Sequence, residues 1–165
     1  MPLKYTEPDL AKPYTGPVQS DTLNEIFLSD GCPKADERLC GLLGPRRWPR
    51  PLFLNLSQGY WLHLTRALGG GRVSRHRHPA SVHCFVLKGH WRHLERDWEA
   101  VPGSYIYNPP GEIHTLVVEN NNEELVTLFH NTGALVYWDE AGNTKETIDV
   151  LDRIQACRSH FDTVR

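Results

Sequence analysis

Residues 103–114 read Gly-Ser-Tyr-Ile-Tyr-Asn-Pro-Pro-Gly-Glu-Ile-His, a stretch that combines a rigid turn with a potential metal ligand. Pro109, Pro110 and Gly111 define the turn, because proline restricts φ and glycine permits a positive φ. His114 follows Gly111 by three residues and begins an apolar run that ends at Val118. Such a run is typical of a buried strand. The stretch therefore predicts a histidine held firmly at the start of a strand.

Two more histidines lie upstream, in the segment Ser-Arg-His-Arg-His-Pro at residues 74–79. His76 and His78 are two residues apart, so on an extended strand both imidazoles point to one face and Arg77 points to the other. Together with His114 they would offer three neutral imidazoles, which suit Fe(II), Zn, Ni or Cu. Such a site leaves coordination positions for substrate, water or O2. The spacing therefore predicts a metal site.

Length and charge limit the class of protein. The chain has 165 residues, enough for one domain, and its 18 basic and 20 acidic residues give a formal charge of -2. No strong field would recruit nucleic acid or a membrane surface, so we expect a small-molecule partner. The four cysteines form no C-x-x-C pair, which argues against a zinc ribbon or a disulfide framework. No signal sequence or membrane-spanning run is recognisable, so a cytoplasmic protein is expected.

Short runs rich in Val, Leu, Tyr, Trp and Phe recur between turn signals through most of the chain. Their spacing of roughly 8 to 12 residues predicts an all-β sandwich or small barrel. The predicted strands are residues 52–56, 60–68, 82–88, 90–95, 104–107, 113–118, 124–130 and 134–138.

The runs divide the single domain into three regions. Residues 1–51 are predicted as an N-terminal extended arm and loop region, with 21–28 as a short helix or strand. Residues 52–147 form the barrel, and 148–165 form a C-terminal helix packed on it. Its apolar face is predicted to hold Val150, Ile154, Cys157 and Phe161.

These motifs resemble those of the cupins. The spacing from Gly103 through Pro109 and Gly111 to His114 resembles the second cupin motif, and residues 70–89 resemble the first, which ends at Gly89. The metal-binding Glu usual in the first motif is replaced by His83. The resemblance implies a cupin-type jelly-roll barrel, also called a double-stranded β-helix.

Within the cupins, residues 74–79, 86–92 and 103–118 resemble the 2,4'-dihydroxyacetophenone dioxygenase family, which is related to the acetylacetone-cleaving cupins. The resemblance spans roughly residues 60–137. It implies one Fe(II) per subunit held by His76, His78 and His114, with O2 as co-substrate. The implied reaction cleaves the C–C bond of an aromatic 2-hydroxy ketone, giving 4-hydroxybenzoate and formate from the family's namesake substrate.

Other functions are compatible with the same residues. A non-catalytic cupin would bind a metal or ligand without consuming O2. A metal-dependent isomerase or hydrolase would work anaerobically and with zinc. A cupin dioxygenase that cleaves a β-diketone or a flavonol would differ in the shape of its pocket.

Further residues are expected around the metal. Glu112 would orient an imidazole or accept a proton, or be a solvated loop residue. His83 is expected to face the barrel interior with Phe85 and Leu87, either as a fourth ligand or beside the metal and substrate. A homodimer or homotetramer is expected. The predicted substrate pocket contains Trp61, His63, Arg66, Phe85, Trp91, His93, Tyr105 and Tyr107. For His63 and His93, a hydrogen-bonded core or surface histidine is the alternative.

Overall fold

The computed structural model describes residues 13, 15–17, 25–29, 46–119 and 123–163. Within these ranges the chain forms ten strands followed by one helix, α1, at Val150–Thr163. The strands are β1 Arg47–Asn55, β2 Tyr60–Leu68, β3 Gly71–Arg77, β4 Val82–Lys88, β5 Arg92–His93, β6 Tyr105–Asn108, β7 Ile113–Val118, β8 Glu124–Asn131, β9 Leu135–Trp138 and β10 Thr144–Ile148.

The strands form two antiparallel sheets of five strands each. One sheet has the order β1-β2-β8-β4-β6 and the other has the order β10-β9-β3-β7-β5. Apolar side chains from both sheets meet in one buried cluster, which includes Val86 on β4 and Leu116 on β7. Helix α1 contacts β1 and β10. The arrangement confirms the predicted jelly-roll barrel with a C-terminal helix.

Strands β2, β4 and β7 have the predicted bounds. The prediction of a loop up to residue 51 is wrong, because β1 already begins at Arg47. Its prolines, Pro49 and Pro51, are tolerated because β1 is an edge strand, where a missing N–H breaks no ladder on the open side. Strands β3 and β10 were not among the predicted apolar runs. β10 was missed because most of its residues are polar and exposed.

The side chains of β4 that face the barrel interior differ from the predicted ones. Val82, Cys84 and Val86 point inward and are at most 2% exposed, so the alternate residues face outward. Phe85 and Leu87 are therefore about half exposed, at 47% and 57%. His83 lies on the same outer face, where its Nδ1 is 2.7 Å from the Tyr105 hydroxyl. The expectation that these side chains face the barrel interior is wrong.

Helix α1 begins with a side-chain cap. The Asp149 carboxylate accepts the backbone N–H groups of Leu151 at 2.7 Å and Asp152 at 3.2 Å. In return, the Asp152 carboxylate accepts the N–H of Asp149 at 2.8 Å, the reciprocal pattern of a capping box. Val150 is buried as predicted, whereas Phe161 is 53% exposed and does not pack on the barrel.

Almost all of the predicted N-terminal arm, residues 1–20, lies outside the described residues. Of the segment 21–28, residues 25–28 are described, and they form neither helix nor strand. Among the described helices, none has the length and apolar character required to cross a membrane.

Candidate metal centre

The structure brings His76, His78 and His114 together inside the barrel. His76 on β3 pairs directly with His114 on β7, and His78 follows the end of β3. One ring nitrogen from each of the three lies within 4.8 Å of the others. Each residue is at most 4% exposed. Two neighbouring strands thus deliver the three imidazoles to one buried point, as the sequence spacing predicts.

Backbone carbonyls orient two of the three rings. Nδ1 of His76 donates to the carbonyl oxygen of Ser74 at 2.7 Å, and Nδ1 of His78 donates to that of Ala134 at 3.2 Å. A carbonyl only accepts, so the proton of a neutral ring is on Nδ1 and the lone pair is on Nε2. Metal-binding histidines are commonly held by this kind of hydrogen bond. The donor set therefore fits a transition metal or zinc ion.

The same three imidazoles are neutral at ordinary pH. Burial lowers the pKa of His76, and it lowers the pKa of His78 to about 4 with a further contribution from neighbouring His76. Burial and three neighbouring histidines lower the pKa of His114 to about 2. A neutral imidazole is the form that binds a metal, so protons compete little for this site.

On β4, the residue that points inward beside the three histidines is Val82 and not His83. Val82 is 2% exposed and lines the same cavity as the three histidines. Its apolar side chain cannot ligate a metal, and His83 is on the opposite face of β4. The strand that supplies a glutamate ligand in the usual first motif therefore supplies none here.

A cavity of about 310 Å³ opens beside the three histidines, a volume typical of small-molecule sites. Of the predicted pocket residues, His63, Trp91 and His93 line it. The His93 ring stacks on the His114 ring, with centroids 4.1 Å apart and planes 8° apart. His63 stacks on Phe129 at 5.3 Å. Other wall residues include Val73, Asn108, Leu116, Leu125, Asn131, Leu135 and Tyr137.

The other predicted pocket residues lie elsewhere. Trp61 is buried in a second cluster with Leu135 and Val150, and it borders a separate small cavity. Arg66 points to the outer face of its sheet, where it pairs with Glu124. Phe85, Tyr105 and Tyr107 are each about half exposed. Because β4 and β6 turn these side chains outward, none of the three lines the cavity.

Glu112 does not orient an imidazole within the described part of the chain. Its carboxylate forms an ion pair with Arg96 and borders a surface groove. Glu95 is the carboxylate that acts electrostatically on His76 and His93. Its own side chain accepts the backbone N–H of Thr115 at 2.8 Å.

Sequence reasoning missed Arg153 on α1, which also lines the cavity. Helical spacing places Arg153 three residues after Val150 and four before Cys157, on the face that packs against the barrel. That spacing was the available signal, but arginine is ordinarily assigned to solvent. Tyr137 on β9, also missed, contacts His76 with ring centroids 5.5 Å apart.

Known structures share this fold. A cupin-like protein of unknown function from Ralstonia eutropha is 20% identical with a TM-score of 0.75, covering 88% of this chain and 89% of that chain. An RmlC-like cupin from the same organism is 21% identical with a TM-score of 0.69, covering 80% and 81%. An acetylacetone dioxygenase from Acinetobacter johnsonii is 15% identical with a TM-score of 0.67, covering 90% and 99%.

At these identities the likeness shows the fold alone. No curated protein matches the chain significantly. Residues 45–136 match the family described as the ChrR cupin-like domain, and the match covers more than half of the chain, including all three clustered histidines. The chain therefore belongs to the ChrR cupin-like domain family.

Proposed function

We propose that this protein is an Fe(II)-dependent dioxygenase that cleaves a C–C bond of a small chelating ketone. The first substrate we propose is an aromatic 2-hydroxy ketone such as 2,4'-dihydroxyacetophenone. One observation carries the proposal: three buried, neutral imidazoles converge at a cavity, and Val82, which cannot ligate a metal, lines that cavity beside them. Three neutral ligands leave both charges of a divalent ion uncompensated, which favours a substrate that chelates through an ionised oxygen.

When bound, Fe(II) would act as a Lewis acid toward the chelating oxygens and as the redox centre for O2. The residues of the chain bind and orient the substrate. Trp91 and Phe129, whose ring centroids are 6.3 Å apart, form an aromatic wall for an aryl group. The apolar side chains around them exclude bulk water, which would otherwise compete for the chelated position.

The overall reaction balances without another reductant. 2,4'-Dihydroxyacetophenone and O2 give 4-hydroxybenzoate and formate, so the bond between the carbonyl and carbinol carbons breaks. Each carbon gains one oxygen atom and becomes a carboxyl carbon. A β-diketone chelates through two oxygens in a similar way, and it is the second substrate class to test.

The test is oxygen consumption by protein loaded with Fe(II) under anaerobic conditions. We expect one O2 to be consumed for each hydroxy ketone cleaved, with none consumed by the zinc-loaded protein. Conversion of the substrate that continues without O2, or with zinc, would instead identify an isomerase or hydrolase. Stoichiometric iron without substrate-dependent O2 uptake, across hydroxyacetophenones and diketones, would identify a non-catalytic metal-binding cupin.

A further inference from the structure

The cavity wall contains a half-buried cation for which the described residues provide no anion. Arg153 lines it, and its guanidinium carbon lies 5.8 Å from the centre of the Trp61 ring. Its Nε is buried and has no hydrogen-bond partner, and none of the ion pairs between described residues includes Arg153. Removing a guanidinium from water is costly unless an acceptor compensates it. Arg153 therefore has donors free for a ligand.

The other charged groups on the cavity wall are of both signs. Arg72 also lines the cavity, and Glu146 is the one carboxylate among the described lining residues. Glu146 is exposed. It acts electrostatically on Arg153, but no ion pair joins them. Because the histidines are neutral, Arg72 and Arg153 against the single carboxylate Glu146 give these described lining residues a net positive charge before any metal binds. A low-dielectric cavity strengthens the attraction of such a wall for anions.

Arg153 and the three histidines line the same cavity. Tyr137 contacts His76 and also interacts electrostatically with Arg153, so the cation lies near the wall next to the three histidines. Leu116, Phe129 and other apolar side chains line the same cavity. The complementary ligand has metal-chelating oxygens, an apolar body and a separate anionic oxygen.

We propose that Arg153 determines substrate specificity by binding an anionic oxygen of the substrate, a carboxylate or phenolate, that does not chelate the metal. A guanidinium offers two parallel N–H groups to a carboxylate and charge-assisted hydrogen bonds to a phenolate. That the bound molecule is a substrate rests on the proposed function. The anion site itself requires no reaction, so metal-free protein can test it.

The experiment measures binding to the metal-free protein by titration calorimetry with benzoate and its neutral analogue benzamide. Arg153→Gln removes the charge and Arg153→Lys retains it. Arg158→Gln is the matched control, because Arg158 is exposed on the same helix and does not line the cavity. In the phenolate arm, 4-nitrophenol is used, since its ionised form absorbs visible light and reports the protonation state of the bound molecule.

We expect the wild-type protein to prefer benzoate over benzamide by about 10-fold or more, the range of a hydrogen bond to a charged group. Arg153→Gln should abolish the preference without weakening benzamide, while Arg158→Gln should retain it. Wild-type protein should also ionise bound 4-nitrophenol more than Arg153→Gln does. If only benzoate binding depends on Arg153, the ligand group is a carboxylate. If only ionisation of the phenol depends on Arg153, it is a phenolate.

Several results would overturn the inference. In the first, wild-type protein binds benzoate and benzamide equally and does not ionise the phenol. In the second, Arg153→Gln weakens the binding of benzoate and benzamide equally. If Arg153→Gln does not fold, Arg153→Lys provides the test. The inference requires that this variant bind benzoate more weakly than wild type and bind benzamide equally well. If Glu146→Gln removed the benzoate preference as Arg153→Gln does, Arg153 would be a structural partner of Glu146.

The two proposals fail separately. Benzoate binding that depends on Arg153, with no O2 uptake for any ketone, would retain the anion site and reject the dioxygenase. Turnover that is equally fast for charged and uncharged substrates in both wild type and Arg153→Gln would retain the dioxygenase and reject the role of Arg153.

Discussion

His114 lies at the centre of the histidine cluster. Its ring contacts the rings of His76, His78 and His93, and its Nδ1 is buried with no hydrogen-bond partner in the described part of the chain. The surrounding strands are held by apolar side chains of the main cluster. Loss of this one imidazole should therefore abolish metal binding without unfolding the protein.

We expect His114→Ala to lose stoichiometric iron while the metal-free protein retains its fold. The free energy of unfolding should fall by about 1 to 3 kcal/mol, as for other truncations of a buried side chain. Metal analysis after anaerobic loading measures the first effect, and denaturant titration measures the second. His160→Ala on α1 is the control and should bind iron normally. Full iron content and activity in His114→Ala would show that the ligand assignment is wrong.

Stability should fall with acid because of His63. Burial lowers the pKa of its imidazole to about 3, with a smaller contribution from Arg153. The unfolded chain binds the proton near the ordinary pKa of about 6.5, whereas the folded chain does not, so stability declines as the pH falls below about 6.5. From there to about pH 5, this residue alone should cost about 2 kcal/mol.

Denaturant titrations of the metal-free protein at about pH 7 and about pH 5 measure this effect. We expect His63→Gln to lose about 2 kcal/mol less on acidification than the wild type. Other buried histidines contribute equally to both proteins, so the difference isolates His63. Identical losses in the two proteins would exclude a proton-free His63 in the folded state.

Among the secondary-structure elements, α1 connects the stability of the barrel to the cavity. Arg153 lies within the first turns of this helix, directly after the cap that Asp149 forms. Asp149→Ala removes an acceptor for two N–H groups and should cost about 1 kcal/mol. It should also weaken benzoate binding, because the turn that positions Arg153 would fray.

Asp149→Ser is the control for the cap, because serine retains a side-chain acceptor and should restore most of the stability. Denaturant titration and benzoate calorimetry measure the two effects on the same samples. A loss of stability with unchanged benzoate affinity would show that Arg153 does not depend on the first turn of α1.

For the whole molecule, the outer face of the β1-β2-β8-β4-β6 sheet predicts self-association. An aromatic and apolar patch there has no carboxylate or ammonium group among its lining residues, so two copies could bury it without desolvating a charge. Its lining residues are Leu62, His83, Phe85, Tyr105, Leu128 and His130.

We expect light scattering to give a mass of at least twice 18.9 kDa, consistent with a homodimer or homotetramer. Phe85→Glu should shift the protein toward the monomer, because it buries a charge at the contact. Leu151→Glu is a matched control, since Leu151 is an exposed apolar residue of α1. A monomeric wild-type protein would exclude self-association.

Much of the fold was predictable because its signals are local. Short runs of apolar and aromatic residues between turn residues predicted β2, β4 and β7. Gly89 shows why one position of the first cupin motif is restricted. It has φ of 70°, and a Cβ there would lie 2.5 Å from the backbone oxygen of Glu124, so only glycine fits. Strand β10 could not be predicted in this way, because four of its five residues are polar and exposed.

By itself, the sequence determined an all-β sandwich or barrel, and its resemblance to the cupin motifs implied the jelly roll. It also predicted three histidines at one site, because a Pro-Pro-Gly turn and a two-residue spacing constrain the backbone locally. Only the tertiary structure decided which face of β4 is inside, and so placed Val82 rather than His83 beside the three clustered histidines. It alone brought Arg153 to the cavity. Both outcomes depend on contacts between residues far apart in the chain, and residue spacing along a single element does not specify them.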